Sequence, residues 1–471
     1  MAVRLDFDDI QGLVTRGYGD LRAAAYLLLR ISDPATARAW LGETVPNITT
    51  ATLKPDKSAL NVAFTSSGLA QLGLGTQALA GFSQEFLDGM AAPHRSRMFG
   101  DVDESAPQQW AWGGPSASID ALLLAFATDW NELDCLLDAQ TSRLAGAGLE
   151  QVARLDTVDL GNVEHFGFRD GISQPAIEGV PVTAPTANTI KTGEFVLGYP
   201  NEYGLYTDRP LLERSADPGE ILPADPQRSG RVDLGRNGTY LVFRQLQQDV
   251  RGFWRFLDAA TKRPYGSSNS DSRISLGARM VGRWPGGAPL ALSSDKDDAT
   301  LAKANDFGYF QLDAAGNRCP IGAHVRRANP RDSLDPNPGS AESIAIGKRH
   351  RIIRRGREYG PPVPPDQLLA EVSEAEERGI HFICLNANIA RQFEFIQHTW
   401  VANPKFDGLY QDDDPLLGAH GEGAGRFTVQ AKPVRRRISH LGRFVTVRGG
   451  AYFFLPGIRA MRFLSTQKLG G

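Results

Sequence analysis

Cysteine is scarce: three residues in 471, Cys135, Cys319 and Cys384. So few, so far apart, cannot build a disulfide framework or a zinc site. Net charge is scarce as well, with 51 Lys and Arg against 54 Asp and Glu for a formal −3. That balance excludes a globally basic nucleic-acid binder. No apolar run approaches the ~18 residues of a membrane span. The opening MAVRLDFDDIQG carries acids where a signal peptide would be apolar. These absences together lead us to expect a cytoplasmic protein with no signal peptide and no transmembrane segment. Also missing are the glycine-rich phosphate loops, the G-x-S-x-G elbow of hydrolases and the H-E-x-x-H of zinc proteases.

What is present is enough apolar residue for real cores, 41%, and an excess of glycine, 50 residues, which points to many turns. The chain carries a faint internal duplication. AAYLLLRISDPATARAWL near the start reads as a strand, a turn and a helix opening at Asp33-Pro34. GTYLVFRQLQQDVRGFWRFL, from Gly238, repeats that grammar. A second pair of strand-then-helix segments is ALNVAFTSSGLAQLGL from Ala59 and GIHFICLNANIARQFEFI from Gly379. DALLLAFATDW and QVARLDTVDLG supply further strands, and RFVTVRGGAYFFLPG reads as a hairpin or bulged pair around Gly449-Gly450. The pattern fits an α+β fold of two βαββαβ units with antiparallel sheets. We expect an N-terminal unit over 1–180, a loop-rich connection over 181–237 and a C-terminal unit over 238–471. The acid runs DKDD, from Asp295, and DDDP, from Asp412, lack calcium-loop spacing and read as solvated surface.

Three segments combine reactive residues with conformation-setting ones. In EHFGFRDGISQP, Asp170 sits between Gly167 and Gly171, either as a turn former or as a carboxylate presented to a cavity. In CPIGAHVRRANPRD, a strand-like AHVRR would project His324 and Arg326 to one side. Such a pair could take a metal and a carboxylate, with His165 and His381 as rival ligands. In KRHRIIRRGREYGPP the basic stripe is interrupted by Ile352-Ile353, so part of it should be buried strand. Its arginines then need anionic partners, and the stripe reads as one face of a site for a small polyanionic ligand. Nucleic acid is the weaker reading because no aromatics interleave with it.

Taken together, GFRDG, AHVRRANPR, IIRRGREYG, the closing RGGAYFFLPGI and the opening DDIQGLV resemble the dye-decolourising haem peroxidases, in that family's order and over nearly the whole chain. The resemblance implies a pair of ferredoxin-like units with haem b in the second. It implies His324 as axial iron ligand, Asp170 as acid/base and Arg354 as the companion arginine, with Arg355 its rival. Arg326, Ile380 and Phe382 are the other residues expected to meet the haem, the last two as an apolar wall. Gly356 stands where some members carry an asparagine. His324 would need a carboxylate partner, Asp407 or Asp412, and Trp254, Trp284 and Tyr359 are conceivable surface electron relays. The activity implied is hydrogen peroxide-dependent oxidation of dyes, phenols or similar small-molecule reductants through a ferryl and porphyrin-radical intermediate, with an acidic optimum. The alternative on the same fold is a haem carrier or iron-release protein resembling a deferrochelatase. Neither reading calls for a nucleic-acid or membrane partner, and a monomer or homodimer is expected.

Overall fold

The computed structural model describes residues 4–144, 146–181, 188–262, 268–372, 376–421 and 423–467. Two of the apolar runs become central strands. β1 (Ala23–Ile31) is buried throughout except Arg30. In β1 a strand leads to α1 (Pro34–Thr44), whose start is fixed by Asp33: its carboxylate accepts from the Ala35 and Thr36 N–H groups, with Pro34 in the first turn. A cap of this kind stabilises a helix by about 1 kcal/mol. β2 (Ser58–Phe64), β3 (Ala121–Ala127), α2 (Trp130–Leu144) and β4 (Leu149–Asp156) complete the first half.

The second half repeats the order. β5 (Thr239–Gln248) runs into α3 (Val250–Thr261), capped by Asp249. A long insertion carries α4 (Ser270–Val281) and α5 (His324–Ala328). Two short strands follow, β6 (Ile353–Arg354) and β7 (Arg357–Tyr359), and then β8 (Gly379–Asn386). Two wide π-type helical segments, Ala390–Glu394 and Ile396–Val401, and β9 (Val445–Leu455) close the unit. α6 (Ile458–Thr466) follows.

All these strands form one antiparallel sheet of nine, in the order β6-β8-β5-β9-β2-β3-β1-β4, with β7 also on β8. Within each half the order is second, third, first, fourth, the ferredoxin-like arrangement, with β6 and β7 sharing the second place. The expected α+β class with two such units holds. The halves meet edge to edge where Phe454 of β9 pairs with Phe64 of β2. One core lies on each face of the sheet, and both cross that seam. Leu27, Val62 and Leu123 share a core with Val242 and Tyr452, and Leu28, Leu122 and Leu124 share the other with Leu241 and Phe453. A third core packs α3 and α4 against Phe166 and Phe168.

The structure corrects three expectations. The β8 segment corresponds to β3 and its helix α2, whereas the run from Ala59 is β2, the counterpart of β6 and β7. RFVTVRGGAYFFLPG is a single strand with a bulge between Val447 and Gly449. Gly449 serves close approach there, since a Cβ would lie 2.5 Å from the Trp112 ring. AHVRR is a helix, ended by Asn329-Pro330. Of the connection expected over 181–237, residues 182–187 lie outside the described residues. The rest holds short paired strands such as Leu211–Leu212 with Val232–Asp233. Among the described residues no helix is long and apolar enough to cross a membrane.

Candidate active site

The loop before Pro175 is built from its own backbone. The Glu164 carboxylate accepts from the N–H groups of Phe166 and Phe168, both at 2.9 Å. Gly167 and Gly171 take φ of +97° and +78°, a region that favours glycine. The rings of Phe166 and Phe168 are buried in the third core, so the turn delivers the Asp170 carboxylate into a cavity. There it accepts from Arg354 Nη1 at 2.6 Å. Burial opposes its charge, yet the Arg354 guanidinium outweighs that and holds Asp170 below the usual carboxylate range.

Arg354 reaches the cavity because adjacent strand residues point to opposite faces. Arg355 turns the other way and donates to the Leu13 and Val14 carbonyls at 2.7 and 2.9 Å. Gln174, which the sequence did not single out, clamps the backbone of Arg354 from both sides: its Oε1 accepts from Arg354 N at 3.0 Å and its Nε2 donates to Arg354 O at 3.1 Å. Gly356 leaves no room for a side chain, since a Cβ would meet the His381 carbonyl at 2.4 Å. An asparagine at this position would press on β8 rather than enter the cavity.

His324, at the start of α5, lines the same cavity. Its Nδ1 is 3.0 Å from Asp414 Oδ2. Asp414 is fully buried, and its Oδ1 accepts from the Leu416 and Leu417 N–H groups at 3.0 and 2.9 Å. Burial works against both charged forms, but each stabilises the other: His324 is pushed up and Asp414 held down. The partner is therefore neither Asp407 nor Asp412. Asp412 accepts from Thr428 Oγ1 at 3.0 Å, and burial raises it, as it raises Asp407. The DDDP run is not solvated surface either, since Asp412 and Asp414 are buried.

Arg326 does not line the cavity. On a helix rather than a strand it swings away from His324, and it donates to the carbonyls of Cys319 at 2.9 Å and Asp313 at 3.1 Å. Arg327 anchors the opposite side of α5 to the carbonyls of Trp400 at 3.0 Å, Asn403 at 2.8 Å and Asp412 at 2.7 Å. It ties the helix of His324 to the segment of Asp414. The rival histidines lie elsewhere. His165 bonds the Tyr359 carbonyl at 2.8 Å, and His381 is buried against Tyr26, Phe243 and Tyr359. Trp254, Trp284 and Tyr359 are not at the surface, with 9%, 7% and 7% exposure.

Ile380 and Phe382 line the cavity with Leu246, Ile352, Phe393, Ile396 and Leu417. The space enclosed is about 1880 Å³, open mouth included. Two buried donors facing it, Asn329 Nδ2 and Arg351 Nη2, have no hydrogen-bond partner. Burial brings Arg351 down to about 9. Apolar walls, unpaired donors for carboxylates and an imidazole whose outer nitrogen is bound to an acid fit a haem.

No family model matches the chain. A dye-decolourising peroxidase of Mycetinis scorodonius is 32% identical over 97% of this chain and 87% of its own length. The chain belongs to the dye-decolourising peroxidase family. The structure of a fungal member from Auricularia auricula-judae agrees, with a TM-score of 0.78, 26% identity and coverage of 98% of this chain and all of that one. So does a family structure in complex with 2,6-dimethoxyphenol, at a TM-score of 0.79, 26% identity and the same coverage. As a dye-decolourising peroxidase the chain is an enzyme of peroxidase class with a haem cofactor, as its motifs led us to expect.

Proposed function

We propose that this peroxidase holds haem b in its C-terminal unit, reduces hydrogen peroxide, and oxidises dyes and phenols of the kind its relatives' names and complexes describe. The observation that carries this reading is that His324, backed by Asp414, and the Asp170–Arg354 pair face one apolar cavity. When bound, the haem supplies an iron that takes the peroxide and accepts electrons from donors.

The chain's own residues do the rest. His324 offers Nε2 to the iron, while its Nδ1–H donates a hydrogen bond to the Asp414 carboxylate, which raises the basicity of the imidazole. Asp170, kept ionised by Arg354, takes a proton from the incoming peroxide and returns it to the departing oxygen. The Arg354 guanidinium stabilises the negative charge that develops there. Arg351 and Asn329 hold the carboxylates of the haem, and Ile380 and Phe382 exclude water from its plane. We place the division between the units at 1–180, 181–237 and 238–471. The three free cysteines, two of them buried, support a reducing compartment such as the cytoplasm.

The test is the visible absorption spectrum of the purified protein before and after adding hydrogen peroxide. A haem band that changes with peroxide and is restored by a phenol, with peroxide consumed, supports the reading. A haem band indifferent to peroxide would instead support the carrier or iron-release function.

A further inference from the structure

A surface groove lies where β5 ends and β9 begins, lined by Asp103, Glu104, Gln247, Asp249, Thr446 and Arg443. Among the described residues Arg443 alone lines both this groove and the haem cavity. The backbone that carries it is fixed. Phe444 is buried, its ring packs on Phe253 and Phe256, and its carbonyl accepts from Asp249 N at 2.9 Å. What can move is the arginine side chain, which lies 13% exposed between the two spaces.

Three hydrogen bonds hold that side chain in place. Nη1 donates to the Val102 carbonyl at 2.9 Å and to Ser105 Oγ at 3.3 Å, and Nη2 donates to Asp103 Oδ2 at 3.3 Å. All three acceptors belong to one turn. The Asp103 side chain is 70% exposed, so water and salt weaken its ion pair with Arg443. The turn does not depend on the arginine, because Ser105 Oγ also accepts from Val447 N at 3.1 Å and the Ser105 carbonyl from Trp110 Nε1 at 2.8 Å. The groove carries the carboxylates of Glu104 and Asp249 as well, so a guanidinium swung outward keeps anionic neighbours. Behind Arg443 the cavity runs along one face of the sheet. Val447 of β9 pairs with Leu246 of β5, which pairs with Ile380 of β8, and all three line the cavity. Cross-strand partners share a face, so an apolar floor leads from Arg443 to the Ile380 wall.

We propose that Arg443 is a bar across a passage from this groove to the haem cavity, and that it sets how bulky an aromatic donor can enter by that route. A broad aromatic molecule waits for the side chain to leave the turn, whereas a molecule the size of peroxide does not. This rests on the reading of the cavity as the haem site of a peroxidase.

The experiment follows two uncharged ligands of haem iron, hydrogen cyanide and the much bulkier phenylimidazole. Each is mixed with the haem-loaded resting enzyme, and uptake is read from the shift of the haem band. Arg443→Ala should take up phenylimidazole about tenfold faster than wild type, with cyanide uptake unchanged. Asp103→Asn should accelerate phenylimidazole by less, and it keeps the test available where Arg443→Ala fails to load haem. Added salt should speed phenylimidazole into the wild type by screening the Asp103–Arg443 pair, an effect absent from both variants. In turnover, Arg443→Ala should lower KM for a bulky phenol and leave kcat/KM for peroxide unchanged. Phenylimidazole uptake equal to wild type in both variants, or both ligands accelerated alike, overturns the proposal alone. A wild type that shows no haem band overturns the peroxidase reading with it.

Discussion

His324 and Asp414 stand 90 residues apart in sequence, yet their side chains meet at 3.0 Å inside the protein. The aspartate is locked by two backbone N–H groups, so the imidazole cannot rotate without losing a buried partner. Asp414→Asn should lower haem affinity by roughly 10- to 100-fold. The check is the rate of haem transfer to a scavenger protein. His324→Ala should lose or loosen the haem outright, and a normally ligated, fully loaded His324→Ala protein would reassign the ligand.

Asp170→Asn keeps the shape of the loop, because Glu164 and the two glycines set its turn. The variant should bind haem with a normal absorption band and react with peroxide about 10²–10⁴-fold more slowly, as measured by stopped-flow mixing.

Arg354→Leu should slow the same reaction by about 10²–10³-fold and also shift its pH dependence. Arg354 holds Asp170 down, so its loss lets Asp170 rise. The limb below which the carboxylate is protonated and inactive then moves to higher pH. A reaction profile against pH with an unmoved acidic limb would contradict the pairing.

Stability should fall in acid for a reason remote from the haem. Burial depresses His381 to about 3, and His165 and His350 to about 4. Their unfolded forms titrate near 6.5, so the unfolded chain binds more protons between those values. The stability they provide is present above pH 6.5 and lost as pH drops toward 3. Glu164 and Glu358, raised to about 7, oppose this trend above pH 4.5. His381 alone accounts for roughly 5 kcal/mol. His381→Gln should flatten the acid limb in denaturant titrations at several pH values.

Much of this was legible in the chain because strong local signals coincided with the fold. Asp33-Pro34 announced α1, the apolar runs announced β1 and β3, and Gly167 and Gly171 marked the turn that presents Asp170. Failures came where tertiary contacts decide. α5 is five residues long, too short to show a helical period, so AHVRR passed for a strand and Arg326 was given His324's side. Gly449-Gly450 looked like a turn, but Trp112 occupies the space that a side chain would fill. Asp414 was hidden within a run of acids, since nothing local marks which of three adjacent aspartates faces inward. Gln174 and Arg327 act on backbone atoms of distant segments, a role that residue type does not advertise.

The seam between β9 and β2 has a practical consequence. Because each face's core draws side chains from both halves, a fragment cut at the connection would expose apolar surface and an unpaired strand edge, and should aggregate when made alone. Co-expressed as two pieces, the fragments should find each other and reconstitute a haem-binding complex, so the molecule can be split between its repeats but not halved.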